Sequence, residues 1–177
     1  MGKKFTGGFI GQLSESQEQC LKEMHERFKD WKAKMDTWGG SAAFKLDDRF
    51  MLKFLRARDF DVEKAAEMLT NHLELREKWQ PHLITQNDED VKEGLEKGSW
   101  RMVGEDRAGH PIQLIALDKF NPKDVKSTDA YTRTLLFHRE TTLKKMEHDG
   151  WKVETSVVIF DREWFIGVSS WFKATQN

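Results

Sequence analysis

The first third of the chain repeats apolar residues with the spacing of an α-helix. Ser14 and Gln17 form a potential capping box, after which apolar residues recur every three or four positions. These apolar residues are Leu21, Met24, Phe28, Trp31, Met35 and Trp38. We therefore predict one long amphipathic helix that ends at Gly39 and Gly40. Such a stripe usually packs on neighbouring helices, and docking on a membrane or a partner is the alternative.

The next stretch, residues 46–79, predicts a helical hairpin. Asp47 or Asp48 can cap its first helix, and Asp61 can cap the second helix after a turn at residues 59–60. The inward-facing positions are Phe50, Met51, Phe54 and Leu55 in the first helix and Val62, Ala65, Ala66, Leu69 and Leu73 in the second. Because this hairpin and the preceding helix can bury each other's apolar stripes, we predict an N-terminal helical bundle.

Beyond Pro81 the apolar pattern changes from the period of a helix to that of a sheet. A short charged helix at residues 88–97 has the composition of a connector. Apolar residues then alternate with other residues on either side of a polar turn, EDRAG, which predicts an antiparallel hairpin of two strands. The alternating residues are Trp100, Met102, Ile112, Leu114 and Ala116.

The last periodic segments predict a helix followed by a third strand. The helix begins at Ser127 or Thr128 and ends near His148. One side of it carries Tyr131, Leu135, His138, Thr142 and Met146. The run Val157–Phe160 is short, apolar and rich in β-branched residues, which is typical of a strand buried on both faces. Strand, helix and strand together predict a right-handed parallel crossover, and hence an α/β layer.

Composition and charge exclude several classes of protein. The 177 residues contain 29 Lys and Arg against 30 Asp and Glu, so no basic field favours nucleic acid as a partner. The single cysteine, Cys20, suits a reducing compartment. No apolar run approaches the length of a membrane span, and the N-terminus lacks the apolar core of a signal peptide. We therefore expect a cytoplasmic protein and, since nothing indicates self-association, a monomer.

The motifs of common enzyme classes are missing from the sequence. His25 with Glu26 lacks the second histidine of a zinc protease, and neither His72-x-Glu74 nor His138-x-Glu140 is followed by the cysteines of a deaminase. We therefore predict no metal site. No serine lies in a nucleophile elbow, and the glycines of GGFIG precede no phosphate-binding lysine. We accordingly predict no catalytic residues and no enzymatic activity.

Four sequence segments resemble a known family in the family's own order. They are GFIGQLSESQEQCL, FLRARDFDVEKA, EDRAGHPI and KVETSVVIFD, and together they cover roughly residues 8 to 163. The chain resembles the CRAL-TRIO family, which includes fungal phosphatidylinositol and phosphatidylcholine transfer proteins and supernatant protein factor. The resemblance implies an α/β fold, with a helical subdomain at residues 1–85 followed at 86–177 by a partial, mostly parallel CRAL-TRIO sheet with its crossover helix.

The resemblance also implies a function without covalent chemistry. In the family the sheet forms the floor of an apolar cavity, helices form its walls, and one mobile helix opens to exchange a lipid. We expect a bound phospholipid, phosphoinositide or tocopherol-like lipid, no other cofactor, and transient contact with membranes during lipid transfer. Candidate lining residues are Ile112, Leu114, Leu135, His138, Val158 and Phe160. Each of them is also a plausible core residue, and His138 suits a hydrogen-bonded core position.

Basic residues near the hairpin turn allow two interpretations. Lys45, Lys53, Arg56 and Arg58 can attract anionic lipid headgroups. Alternatively, Arg56 and Arg58 cap the helix carbonyls and pair with Asp59 or Asp61, which is the interpretation we favour. Separately, Gly2 lies in a permissive pattern for N-myristoylation, with an ordinary irregular N-terminus as the alternative.

The last 14 residues, 164–177, depart from the family pattern. The family typically has a glycine three residues after the aspartate of KVETSVVIFD, and Trp164 stands there instead. We expect this tail to derive from an alternative exon, a retained intron or a misassembled gene, replacing further strands and the gating helix. The alternative function is therefore a truncated isoform that acts as an interaction or regulatory module and binds a protein or membrane surface without enclosing lipid.

Overall fold

The chain folds into two compact units, Met1–Gln80 and Pro81–Asn177, which divide close to the domain limit predicted at residue 85. The computed structural model of the protein describes residues 7–36, 45–98, 100–116 and 128–161. Within these ranges the first unit is helical and the second combines helices with a sheet. The predicted α/β class, with a helical N-terminal part, is therefore confirmed.

The described part of the first unit contains four helices: α1 (Glu15–Arg27), α2 (Lys29–Asp36), α3 (Asp48–Ala57) and α4 (Val62–Trp79). The predicted capping box is confirmed, because the Gln17 backbone N–H donates to Ser14 Oγ while the Ser14 N–H donates to Gln17 Oε1 at 3.0 Å. The prediction of a single helix beyond Ser14 is wrong at Phe28, where the backbone leaves helical geometry and separates α1 from α2. Trp38 and the glycines after it lie outside the described residues.

The helical hairpin of α3 and α4 has the predicted caps. Asp47 accepts the Phe50 N–H at 2.8 Å, and Asp61 accepts the Lys64 N–H at 3.1 Å. Between the helices, Asp59 and Phe60 adopt positive φ angles of 52° and 62°. This turn reverses the chain so that the apolar stripes of both helices face α1. The buried core that results contains Leu21, Met24, Phe28, Met35, Leu46, Met51, Leu52, Phe54, Leu55, Ala65, Leu69 and Leu73.

Among its described residues, the second unit is built around a three-stranded mixed sheet. Its elements are a 3₁₀ turn (Pro81–Leu83), α5 (Glu89–Lys97), β1 (Trp100–Glu105), β2 (Pro111–Ala116), α6 (Thr128–His148) and β3 (Val157–Asp161). Strand β2 lies in the centre, antiparallel to β1 and parallel to β3. The predicted β-hairpin, crossover helix and parallel strand are thus confirmed. A bulge at Val103 interrupts the pairing of β1 with β2.

Helix α5 is packed on α6, and the interpretation of this segment as a connector is wrong. The Arg133 guanidinium binds Asp88 and also donates to Asp90 Oδ2 at 2.8 Å. Gly94 faces Thr134 so closely that a Cβ atom on Gly94 would lie 2.6 Å from Thr134 Cγ2. Composition alone did not indicate this packing because, besides the fully buried Val91, it uses ion pairs and a glycine.

Strand β3 is exposed in the described structure, contrary to the prediction that it is buried on both faces. Its apolar side chains range from 38% exposed at Val157 to 55% exposed at Phe160. The reason is position: within the described ranges β3 pairs with β2 alone and lies at the edge of the sheet. The apolar run therefore predicted the strand correctly, but it did not predict whether other elements pack on the faces of that strand.

Asp106 holds the turn between β1 and β2. Its carboxylate accepts the backbone N–H groups of Ala108 at 2.8 Å and His110 at 2.9 Å, and Oδ2 lies 2.9 Å from His110 Nδ1. Above all, the hydrogen bond from the His110 backbone N–H keeps the pKa of Asp106 below its ordinary value. Asp106 of EDRAGHPI is thus a turn-forming residue.

We predict that Asp106→Ala lowers the free energy of unfolding by about 1 kcal/mol, because two turn N–H groups lose their acceptor. Chemical denaturation monitored by circular dichroism measures the change. Arg107→Ala is the matched control, since Arg107 is an exposed residue of the same turn. Equal losses of stability in the two variants would contradict the role of the carboxylate.

Candidate functional site

Helix α6 packs on one face of the sheet, which we call the helix-side face. The His138 ring stacks on the Trp100 indole, with ring centroids 5.1 Å apart and planes inclined by 10°. Further along α6, Lys145 Nζ lies 2.5 Å from Glu105 Oε1. Trp100 and Glu105 pair with Ile115 and Pro111, so both belong to the face that also carries Gln113.

Polar groups on the helix-side face are largely satisfied by one another. Gln113 is 6% exposed, accepts from Trp100 Nε1 at 2.9 Å and donates to Ser156 Oγ at 3.1 Å. On α6, the hydroxyls of Thr134 and Thr142 donate to carbonyls one turn earlier in the same helix, at 3.1 Å and 2.9 Å. The Thr134 hydroxyl also lies 3.5 Å from the Asp90 carbonyl of α5. The helix-side face is packed and internally hydrogen-bonded at β2, whereas Val158 and Phe160 of β3, on the same face, are 40% and 55% exposed.

His138 is the exception in this interior. It is 8% exposed, and its Nε2 is buried without a hydrogen-bond partner among the described residues. Burial disfavours the charged imidazolium and lowers the pKa of His138 to about 4. The His138 side chain is thus neutral near pH 7. Its ring contacts two aromatic rings, the stacked Trp100 indole and the Phe137 ring, whose centroid lies 5.8 Å from the centroid of the His138 ring.

The opposite face of the sheet, which we call the distal face, carries adjacent apolar side chains. In the parallel pairing of β2 with β3, Ile112 lies beside Val157 and Leu114 lies beside Ile159. Because residues alternate between faces, these four side chains point to the side away from α6. Val157 and Ile159 are 38% and 46% exposed, and Ile112 and Leu114 are half-buried. The distal face is therefore apolar and accessible at β3.

A cation lies on the same side as this apolar group. Arg101 pairs with Leu114 across the antiparallel ladder, and its side chain is exposed. Cross-strand partners share a face, so the guanidinium belongs to the distal face. The sequence reasoning missed Arg101 as well as Val157 and Ile159. The available signal for Arg101 was its alternation with Trp100 and Met102.

The six residues predicted to line a lipid site do not share one surface. Ile112 and Leu114 belong to the distal face, whereas Val158 and Phe160 pair with Gln113 and Ile115 on the helix-side face. Leu135 and His138 are on α6, half-buried and buried respectively. A lipid lying flat on the sheet can therefore contact only part of the predicted set. Lipid contact by these residues stays a prediction.

The basic residues at the hairpin turn make contacts that differ in part from those predicted. Arg58 Nη1 donates to the Ala57 carbonyl at 3.0 Å, at the end of α3. Arg56 Nη1 instead donates to the Gly8 carbonyl at 3.0 Å, and its guanidinium lies 4.3 Å from the centre of the Phe9 ring. Asp61 pairs with Lys64 at 2.6 Å.

The remaining candidates for headgroup binding are Lys45 and Lys53, and the candidate for lipidation is Gly2. Lys53 is half-buried and Lys45 is exposed. Headgroup binding by the basic residues stays a prediction. Gly2, the candidate for lipidation, lies outside the described residues.

Within the described ranges, no group of three or more His, Cys, Asp or Glu side chains is arranged to hold a metal ion. None of the helices described is both long and apolar enough to cross a bilayer.

Comparison with known proteins agrees with both units. Residues 20–71 match the CRAL/TRIO N-terminal domain, and residues 95–171 match the CRAL/TRIO domain. The chain belongs to the CRAL-TRIO family, whose proteins generally bind or transfer lipids. The family resemblance found in the sequence motifs is thereby confirmed.

Two relatives come from Arabidopsis thaliana. Patellin-6 is 32% identical over 120 residues, which are 66% of this chain and 29% of that protein. Patellin-3 is 26% identical over 172 residues, which are 86% of this chain and 34% of that protein. The matched part therefore amounts to about a third of each relative's length.

Proposed function

We propose that the protein binds one hydrophobic lipid molecule on the distal face of its sheet, without catalysis. The observation that carries the proposal is the adjacent set of Ile112, Leu114, Val157 and Ile159, on the side of the sheet away from α6. Membership of a family of lipid-binding and lipid-transfer proteins supports the same function. Candidate ligands are a phospholipid, a phosphoinositide or a tocopherol-like lipid.

Burial of acyl chains is a sufficient source of affinity for this site. Each methylene removed from water contributes about 0.8 kcal/mol, so several methylenes on the distal face give substantial binding. Arg101 supplies a positive charge beside Leu114, where an anionic headgroup can be neutralised. No covalent step and no cofactor other than the lipid is part of the proposal.

The proposal extends to how the lipid is used. We propose that the protein works as a monomer in the cytoplasm and touches membranes transiently to load or release its ligand. Transfer follows from binding if the lipid is exchanged at that contact. Val158, Phe160, Leu135 and His138 are less suited to line the site, since they belong to the helix-side face or to α6.

Native mass spectrometry of the purified 177-residue chain, with extraction of bound lipid, tests the proposal. We expect one lipid per chain, and we expect Ile159→Glu to reduce the bound lipid at least about tenfold, because a carboxylate on an apolar site is strongly disfavoured. Phe160→Glu is the matched control. It changes the next residue of β3, which is similarly exposed but points to the other face.

Three outcomes separate the proposal from its rivals. If Phe160→Glu removes the lipid and Ile159→Glu does not, the site is on the helix-side face and the assignment of faces is overturned. A chain that is folded and monodisperse but carries no lipid favours the interaction or regulatory module. If both variants keep the lipid at the wild-type level, the sheet does not form the site.

A further inference from the structure

The N-terminal residues 7–12, which we call the strap, are fixed against the hairpin of the first unit. The Gly8 carbonyl accepts from Arg56 Nη1 at 3.0 Å, so the strap is tied to the end of α3. Gly8 is also in close contact with Phe60, because a Cβ atom on Gly8 would lie 3.0 Å from Phe60 Cε2. Its φ of +83° is accessible to glycine at little cost. The strap is therefore a defined surface feature, held by side chains forty or more positions away.

Beyond Gly8 the strap makes a tight turn with apolar residues at its tip. The Gln12 N–H donates to the Phe9 carbonyl at 2.9 Å, and Gly11 occupies the third position of the turn with a φ of +78°. The tip presents Phe9, 41% exposed, and Ile10, 55% exposed. Among the described residues of this unit, Leu75 is the other large apolar side chain left exposed. Two adjacent exposed apolar residues on an ordered turn form a small apolar patch that a partner surface can cover.

Charge around the tip specifies what kind of surface it fits. The Arg56 guanidinium lies 4.3 Å from the centre of the Phe9 ring, so a positive charge accompanies the apolar tip. Arg58, at the end of the same helix, is exposed. The sequence before the strap adds Lys3 and Lys4, and no acidic residue occurs before Glu15. Apolar residues next to cations match a bilayer interface with anionic lipid.

We infer that the strap is a membrane-docking loop, in which Phe9 and Ile10 insert among the headgroups of an anionic bilayer while Arg56 and Arg58 remain at headgroup level. Arg56 has two roles, because its hydrogen bond to Gly8 orders the loop and its charge stays beside Phe9. An ordered loop loses little conformational freedom on docking. The inference rests on the proposed function, since it gives the transient membrane contact of that function a defined surface.

Vesicle flotation tests the inference with the full chain. The probes are vesicles of phosphatidylcholine with and without phosphatidylserine. We expect the wild-type chain to prefer the anionic vesicles and to bind them less at high ionic strength, because salt screens exposed charges. Replacing both tip residues, Phe9→Ser with Ile10→Ser, is expected to weaken partitioning at least about tenfold, since the apolar area that inserts is lost. Ile10→Ser alone leaves the Arg56–Phe9 contact intact and should give a smaller loss.

Leu75→Ser is the matched control, because Leu75 is 44% exposed on α4 in the same unit. It should bind vesicles as the wild type does. Unchanged binding by the double strap variant, or an equal loss in Leu75→Ser, would overturn the inference. If the double strap variant binds vesicles as the wild type does, the exposed strap would instead suit a protein partner. Thermal unfolding of each variant shows that a loss of binding is not a loss of folding.

The same variants distinguish failure of this inference from failure of the proposed function. The double strap variant should keep the wild-type amount of bound lipid, whereas Ile159→Glu should lose lipid and still float with anionic vesicles. A chain that carries no lipid but docks through the strap would refute the lipid site alone. A chain that carries lipid and docks without Phe9 and Ile10 would refute the docking loop alone.

Discussion

Lowering the pH from 6.5 to 4 is expected to remove about 3 kcal/mol from the free energy of unfolding through His138 alone. The ordinary pKa of 6.5 applies to the unfolded chain, and burial lowers the pKa to about 4 in the folded chain. Between these values the unfolded state binds more protons than the folded state. The stabilisation is therefore complete above pH 6.5 and is lost progressively as the pH falls towards 4.

His138→Phe isolates this effect. Phenylalanine keeps an aromatic ring beside Trp100 and does not titrate, so the variant should lack this part of the pH dependence. Chemical denaturation of both proteins at several pH values measures the difference. Carboxylates with lowered pKa, such as Asp106 and Asp149, also lose stabilisation in acid, but they do so equally in both proteins. Parallel stability curves for the two proteins would contradict the neutral, buried state of His138.

Local signals in the sequence predicted most of the fold. Asp47, Asp61 and the Ser14–Gln17 pair cap helices as expected, because caps depend on residues only three positions apart. The polar turn around Asp106 was also predicted, since its hydrogen bonds are local. The break at Phe28 was not predicted, because the apolar stripe continues through it with no proline or glycine to mark a change.

The sequence could not predict on which face of the sheet each side chain of β3 lies. Residues 157–160 are all apolar, so alternation gave no preference for Val157 and Ile159 over Val158 and Phe160. Pairing with β2 decides between them, because Leu114 lies beside Ile159. The candidate site therefore contains Val157 and Ile159 in place of the predicted Val158 and Phe160. This shift of one residue along β3 places the site on the opposite face of the sheet.

The strap depends on a contact between residues that are far apart in the sequence. Arg56 was assigned to nearby carbonyls or acidic residues because those partners are close along the chain. In the structure it binds the Gly8 carbonyl, 48 positions earlier. Nothing in the spacing of either segment indicates this contact. The motif GFIGQLSESQEQCL was recognised from the family, and its physical role at Gly8 and Gly11 became apparent only with the fold.

Gly94→Ala is expected to lower the free energy of unfolding by about 2 kcal/mol, because the added methyl group overpacks the contact between α5 and α6. A Cβ atom there would lie 2.6 Å from Thr134 Cγ2 and 2.7 Å from Thr134 Oγ1, so one of the two helices must move. Helix propensity acts in the other direction, since alanine favours a helix over glycine by about 1 kcal/mol. Chemical denaturation of the full chain measures the net effect.

Thr134→Ala provides the second arm of the experiment, because it removes both of the atoms nearest to the new methyl group. In that background the cost of Gly94→Ala should fall below about 1 kcal/mol, because helix propensity favours alanine and only the Cβ atom of residue 134, at 3.2 Å, remains close. Lys92→Ala, an exposed change in the same helix, should leave stability nearly unchanged. If Gly94→Ala costs the same with threonine or alanine at position 134, the two helices do not meet at this point. A smaller cost in the Thr134→Ala background supports the packing of α5 on α6 at this point, because distant sites without shared partners give additive effects.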